Sequence, residues 1–204
     1  MSETRHDEVV IDAARLPSYG YSHRSIMWWG TAGLIAIEAT VFALAAFTYF
    51  YVHTRVDVWP PSVPPPDLAW GTANVILLLA SLVPNQWTRK MAEQEKLPQV
   101  RVGLLVCLIF AAAFLILRAF EFASLNVRWD TNAYGSAVWM ILGLHTVHLL
   151  TDFIDTGVLA ALLFRVERME GRRFVDVYEN AMYWDFVVAA WIPIYFTIYW
   201  VPRF

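Results

Sequence analysis

Apolar residues run along this chain in five long blocks, separated by short polar or proline-rich stretches. The blocks cover residues 26–51, 68–87, 100–124, 133–164 and 179–200. About 20 apolar residues, rising about 1.5 Å each as helix, match the hydrocarbon thickness of a bilayer. Without water to bond to, each block must satisfy its own backbone as helix. The pattern therefore predicts an all-α integral membrane protein with five transmembrane helices. It has one membrane domain over 26–204 and a polar arm over 1–25. That arm carries no apolar signal segment, so the first span is expected to act as its own insertion signal.

The joints between blocks carry their own signals. Prolines at 60, 61, 64, 65 and 66 forbid helix and favour an extended polyproline II path, so a stiff loop is expected there. Pro84 and the charged run behind it read as the turn that ends the second span. The stretch RVERMEGRRFVDVYEN reads as a charged surface linker before the fifth. No helix is expected to break at its apolar centre, which speaks against a small transporter with discontinuous helices.

Charge then orients the bundle. Arg5, Arg15, Arg24, Arg89, Lys90, Lys96, Arg101, Arg165, Arg168, Arg172 and Arg173 fall on one side, against Arg55, Arg128 and Arg203 on the other. Basic residues stay in the cytoplasm, so the N-terminus is expected to be cytoplasmic and the C-terminus periplasmic. Aromatic residues near the span ends (Trp28, Trp29, Tyr49, Tyr51, Tyr183, Trp184, Tyr199 and Trp200) read as interfacial belts.

Ionisable residues inside the spans carry whatever chemistry there is, because each is expensive at membrane depth. His145, His148, Asp152 and Asp155 follow one another at spacings of three, four and three, forming a stripe on one helix face. The HxxH pair could ligate haem or a metal, or each ring could simply bond a neighbouring helix. Glu38, Glu121 and Asp152 could add carboxylates to a di-metal site, yet the paired Glu-x-x-His motifs of such bundles do not occur. Glu38 stands about 18 Å along its helix, close to the midplane. It is either a hydrogen-bonded structural group or a proton-exchanging one. Arg118 and Glu121, three apart, could pair. Asp152, Asp155, Glu179 and Asp185 lie toward the cytoplasmic ends, as a solvated rim or as a surface that gathers protons.

Composition narrows the classes. Of 204 residues, 58% are hydrophobic, above the roughly 45–50% of soluble domains. A net charge of −3 gives no reason to expect nucleic acid as a partner. Cys107 is the lone cysteine and lies in an apolar run, so it reads as a buried spectator.

Five short segments then resemble one family in order. The ending YWDFVVAAWIPIYFTIYW is similar to the YWHFVDVVW…YW ending of subunit III of haem-copper terminal oxidases, here in a five-helix form. GLHTVHLL resembles that family's GFHGxHV helix, and IEATVF its SExxFF segment, where Glu38 matches the carboxylate that reacts with carbodiimides. VWPPSVPPP followed by NVILLLAS resembles the WPP loop and the NTxxLLxS helix, and RAFEF puts Glu121 at an EY position. The likeness runs from about Trp28 to Trp200. Two departures stand out: Asp185 replaces the family's His, and Val188 its Asp.

The resemblance implies an accessory subunit with no redox centre of its own, in a bacterial cytoplasmic membrane. Its partners would be the catalytic subunit I, which holds haem and copper, with subunit II, further respiratory subunits and bound phospholipid. The role implied is to sustain proton uptake and protect the catalytic centre in a cytochrome c oxidase. A quinol oxidase or nitric oxide reductase is the alternative assembly. The competing class is a stand-alone metal enzyme on the histidine stripe. Glu38, Glu121, His145, His148, Asp152, Asp155 and Asp185 are the candidate polar or proton-related residues.

Overall fold

The computed structural model describes residues 18–165 and 171–204; most of the polar arm lies outside the described residues. Five helices in it are long and apolar enough to cross a membrane, as the block pattern requires. They are α1 (Ile26–His53), α2 (Leu68–Glu93), α3 (Leu97–Ala123), α4 (Ala133–Phe164) and α5 (Gly171–Tyr195).

Local chemistry fixes their starts. Ser25 Oγ accepts from the Trp28 N–H at 3.2 Å, and Asp67 Oδ1 from the Ala69 N–H at 3.1 Å. Asn132 Oδ1 accepts from the Gly135 N–H at 2.8 Å. Each side chain satisfies one of the backbone donors that a helix start leaves without a partner. In α3, Pro98 sits in the first turn, where its missing N–H costs nothing.

Helices α2, α3, α4 and α5 pack each against the next and close into a four-membered ring. Helix α1 stands outside it, against α4 and α5. The ring is filled by Trp191, Tyr199, Phe114, Tyr134 and Leu142, all nearly inaccessible. The proline loop folds over one end of the bundle. There Trp59 Nε1 donates to the Tyr49 hydroxyl at 3.0 Å, and Arg203 of the C-terminal tail bonds the Pro66 carbonyl. At the other end the Tyr21 hydroxyl donates to Ala92 O at 3.1 Å. The two ends of the described chain therefore lie at opposite ends of α2.

Two boundaries differ from the sequence expectation. Helix α2 runs through Pro84 to Glu93, and the turn falls at 94–96, where Glu95 has a φ of 53°. The proline ring removes only one backbone bond, and neighbouring helices hold the rest in place. Helix α5 begins at Gly171, not at 179. Its charged first turns hide an apolar face: Phe174, Val175, Val177 and Tyr178 are buried. Beyond Pro193 it widens into a π turn over Phe196–Trp200 and a 3₁₀ turn over Val201–Arg203.

The aromatic belt is also corrected. Trp29, Tyr51 and Trp200 are exposed, but Tyr49, Trp184 and Tyr199 are core residues. Position near a helix end says how deep a ring sits, not which way it points.

Candidate functional site

Helix α1 buries only Phe42, Ala45 and Tyr49, all in its second half. Its first half stands off from α4 and α5 and leaves an open groove of about 540 Å³. Glu38, Asp155, Asp176 and Glu179 line it with Thr31, Thr151, Asn180 and Tyr183, over an apolar floor of Leu34, Val158 and Leu159.

Glu38, near the middle of α1, is the carboxylate that this helix contributes. The Tyr183 hydroxyl donates to its Oε2 at 2.6 Å, and His148 Nε2 lies 3.7 Å from the same oxygen. His148 Nδ1 is 2.7 Å from the Leu144 carbonyl, which can only accept, so Nδ1 carries a hydrogen. The second nitrogen is left to face Glu38. Glu179 is 5% exposed, with the Thr31 side chain as the hydrogen-bonding group beside it. Asp155 is exposed, and Asp176 lies 3.9 Å from Arg173.

The histidine–aspartate stripe splits in two. His145 and Asp152 turn into the ring, while His148 lines up with Glu38 and Asp155 with the groove. At about 100° per residue, spacings of three, four and three spread the four positions over roughly 80° of arc, enough to straddle the groove edge. Asp152 is 2% exposed and bonds Asn180 Nδ2 at 3.4 Å, so it is an interior group, not part of an open rim.

Inside the ring, Arg118 and Glu121 form an ion pair at 2.8 Å with side chains 1% and 0% exposed. Asn74 and the Tyr199 hydroxyl both donate to Glu121. Arg118 Nη2 donates to His145 Nδ1 at 3.2 Å, and its guanidinium lies 4.0 Å over the Trp191 ring. His145 Nε2 in turn donates to the Val187 carbonyl at 3.0 Å. Both nitrogens of His145 are thus engaged by protein. Among the described residues, no three His, Cys, Asp or Glu side chains are grouped as a metal site would need.

Asp185 belongs to a third cluster, between α2 and α5. It accepts from Asn85 at 2.9 Å and Gln86 at 2.6 Å, with Arg89 at 3.5 Å, and Arg89 also bonds the Tyr178 hydroxyl.

Several of these partners escaped the sequence reading: Asn74, Asn85, Gln86, Asn180, Tyr183 and Tyr199. One signal was available. Asn74, Ser81, Asn85 and Thr88 recur at spacings of seven, four and three on α2, and all four are buried. Polar residues at that period in an apolar helix mark the face that meets protein.

A family profile described as cytochrome c oxidase subunit III matches residues 25–202. Cytochrome c oxidase subunit 3 of Mus musculus is 27% identical over 202 residues, covering 93% of this chain and 76% of its own. That of Drosophila yakuba is 28% identical over 182 residues, covering 84% and 68%. That of Pongo abelii is 26% identical over 178 residues, covering 82% and 67%.

Proposed function

The chain belongs to the cytochrome c oxidase subunit III family, and on that premise we propose that it is a non-redox accessory subunit that helps supply protons to its oxidase. The catalytic partner would carry the haems and copper, with subunit II and bound phospholipid completing the assembly. The membrane is read as a bacterial cytoplasmic one, with the N-terminus in the cytoplasm. The distribution of Lys and Arg over the loops supports that orientation.

One observation carries the proton reading: the α1–α4–α5 groove brings four carboxylates together, from Glu38 at mid-helix to Asp176 and Glu179 on the first turns of α5. Clustered negative charge in a cleft with apolar walls concentrates cations, protons among them. Carboxylates near one another can pass a proton through intervening water. Tyr183 and His148 fix Glu38, so this member keeps its position whether or not it holds a proton.

The test begins with a tagged chain purified from its own membranes in mild detergent. A haem-bearing oxidase should co-purify, and the colour should stay behind when this subunit is stripped away. Recovery of the chain alone with its own haem or metal overturns the accessory reading. Within the complex, Asp155→Asn with Glu179→Gln should make turnover fall more steeply as pH rises, where protons are scarce. An unchanged pH profile and an unchanged lifetime during turnover would remove the proton role.

A further inference from the structure

The four ring helices enclose a small cavity apart from the groove, with polar side chains set among apolar ones such as Leu104, Ala111 and Trp184. It lies between Asn85 and Thr88 on α2, Cys107 on α3, Asp152 and Thr156 on α4, and Asn180 on α5. It leaves about 10 Å³ for the centre of a water molecule. Roughly 10–15 Å³ on that measure is enough for one water, provided two to four polar groups surround it.

The hydrogen-bond inventory of the wall says what the cavity takes. Thr156 has one hydroxyl hydrogen and two acceptors in reach, Asn180 Oδ1 at 3.1 Å and Asp152 Oδ2 at 3.5 Å. The two acceptors share it, the 3.1 Å contact taking the larger part. Asp152 is thus served only by two long bonds, a shared one from Thr156 at 3.5 Å and one from Asn180 Nδ2 at 3.4 Å, although it is 2% exposed. A buried carboxyl so poorly served is costly. Across the cavity, Thr88 has already given its hydrogen to Pro84 O at 2.7 Å. Asn85 has given both amide hydrogens, to Ala181 O and to Asp185 Oδ1, each at 2.9 Å. Their oxygens remain as acceptors. The Cys107 thiol, 4.0 Å from Thr88 Oγ1, adds only a weak donor, so the wall has acceptors to spare and is short of strong donors.

We propose that this cavity binds one water molecule, which bridges Asp152 on α4 to Asn85 and Thr88 on α2. A water brings two donors and two acceptor positions. With Asp152 ionised, one hydrogen goes to its carboxylate and the other to α2. With Asp152 neutral, its O–H donates to the water, and both water hydrogens go to α2. Either way the donor shortage is met. An apolar guest would add nothing to the long bonds of Asp152 and leave the α2 oxygens without a strong donor. Asn180 lines both this cavity and the groove, so the water stands one side chain away from the groove. The site does not depend on the proton reading.

The experiment uses the intact oxidase complex, imaged by cryo-electron microscopy at a resolution that orders internal water. One peak is expected within hydrogen-bonding distance of Asp152 and of an α2 side-chain oxygen, unchanged when potassium replaces sodium in the buffer. No peak, in a map that shows other internal waters, overturns the proposal. A peak that changes with the cation also overturns it, in favour of an ion site. Synchrotron radiolysis of the same complex gives a second readout. Bound water produces hydroxyl radicals in place, so buried Trp184, on the cavity wall, should be oxidised, and Thr88→Val with Asp152→Leu should suppress that labelling several-fold. Trp184 left unoxidised in the wild-type complex would count against the water.

Discussion

Tyr183 on α5 holds Glu38 on α1 by a 2.6 Å hydrogen bond, across the groove that otherwise keeps these two helix segments apart. This bond is a polar tie between the ring and the helix outside it. A hydrogen bond to a carboxylate is worth about 1.5–3 kcal/mol, and less where water reaches it. Tyr183→Phe is therefore expected to lower stability by about 1–2 kcal/mol, read as a lower thermal midpoint in detergent. Because α1 is loosened, carbodiimide labelling of Glu38 should rise. Unchanged labelling and midpoint would mean that packing at Phe42 and Tyr49 alone positions α1.

Arg118 and Glu121 form a pair of the opposite kind, with no access to water. Removing one member of a buried pair leaves an unpaired charge and typically costs 3–5 kcal/mol, more than the pair itself contributes. Arg118→Met should cost about that much, because Glu121 would keep only Asn74 and Tyr199. The double variant Arg118→Met, Glu121→Leu should cost clearly less than the sum of the single losses. Thermal midpoints of all four proteins complete the cycle. Additive losses would mean that the two side chains are not energetically coupled.

How much of this was legible beforehand follows from the physics of each feature. The five crossings were, because lipid demands long apolar runs and leaves little choice of structure. Pairing of Arg118 with Glu121 was legible too, since three residues on one helix fix their proximity. The split of the histidine–aspartate stripe was not. It depends on where α1 rests against α4, a tertiary fact without a local signature. The early start of α5 was hidden for a related reason. Arg172, Arg173 and Asp176 dominate the local composition, although the residues between them supply a buried face. Tyr199 was misread because a tyrosine near a span end suits an interfacial belt and a buried hydroxyl donor equally well.

Two glycines separate close packing from open space. A Cβ on Gly71 would lie 2.6 Å from Cζ of Tyr199, whose hydroxyl is tied to Glu121 and cannot swing away cheaply. Gly143 on α4 has nothing within 4 Å of its Cβ position. Gly71→Ala should destabilise by about 1–3 kcal/mol, the usual cost of overpacking. Gly143→Ala should be neutral or stabilise by up to about 1 kcal/mol through helix propensity. Thermal midpoints of equal size in the two variants would show that Tyr199 can move aside.

At the end of α2 that faces the start of the chain, Tyr21 gives a prediction in pH. Burial, with Glu95 and Glu93 nearby, pushes its hydroxyl up to about 12 from the usual value near 10. The folded state thus favours the neutral phenol, and that preference is fully present below pH 10. It is lost as pH rises from about 10 to about 12, where the phenolate can no longer donate to Ala92 O. The phenolate absorbance of wild type minus that of Tyr21→Phe should titrate near 12. A midpoint near 10 would mean that this hydroxyl faces open water.

Asp185 and Val188 stand where the resemblance to subunit III sequences expects His and Asp, and the surroundings explain why simple reversion should fail. The side chains of Arg89 and Asp185 are 24% and 27% exposed, so their ion pair contributes little by itself. The amides of Asn85 and Gln86 matter more, because both donate to this one carboxylate. An imidazole offers at most one acceptor nitrogen. Asp185→His must therefore leave one buried or half-buried amide unserved, at about 1–2 kcal/mol. Val188 is 2% exposed within the aromatic and aliphatic core of the ring. Val188→Asp puts an unpaired carboxyl there, and several kcal/mol of destabilisation is expected. The order is then fixed: assembly into the oxidase should survive Asp185→His with a lowered thermal midpoint and be lost in Val188→Asp. If Val188→Asp assembled normally, the ring would have to admit water or a cation beside position 188, and the core packing described for α5 would be wrong at that point.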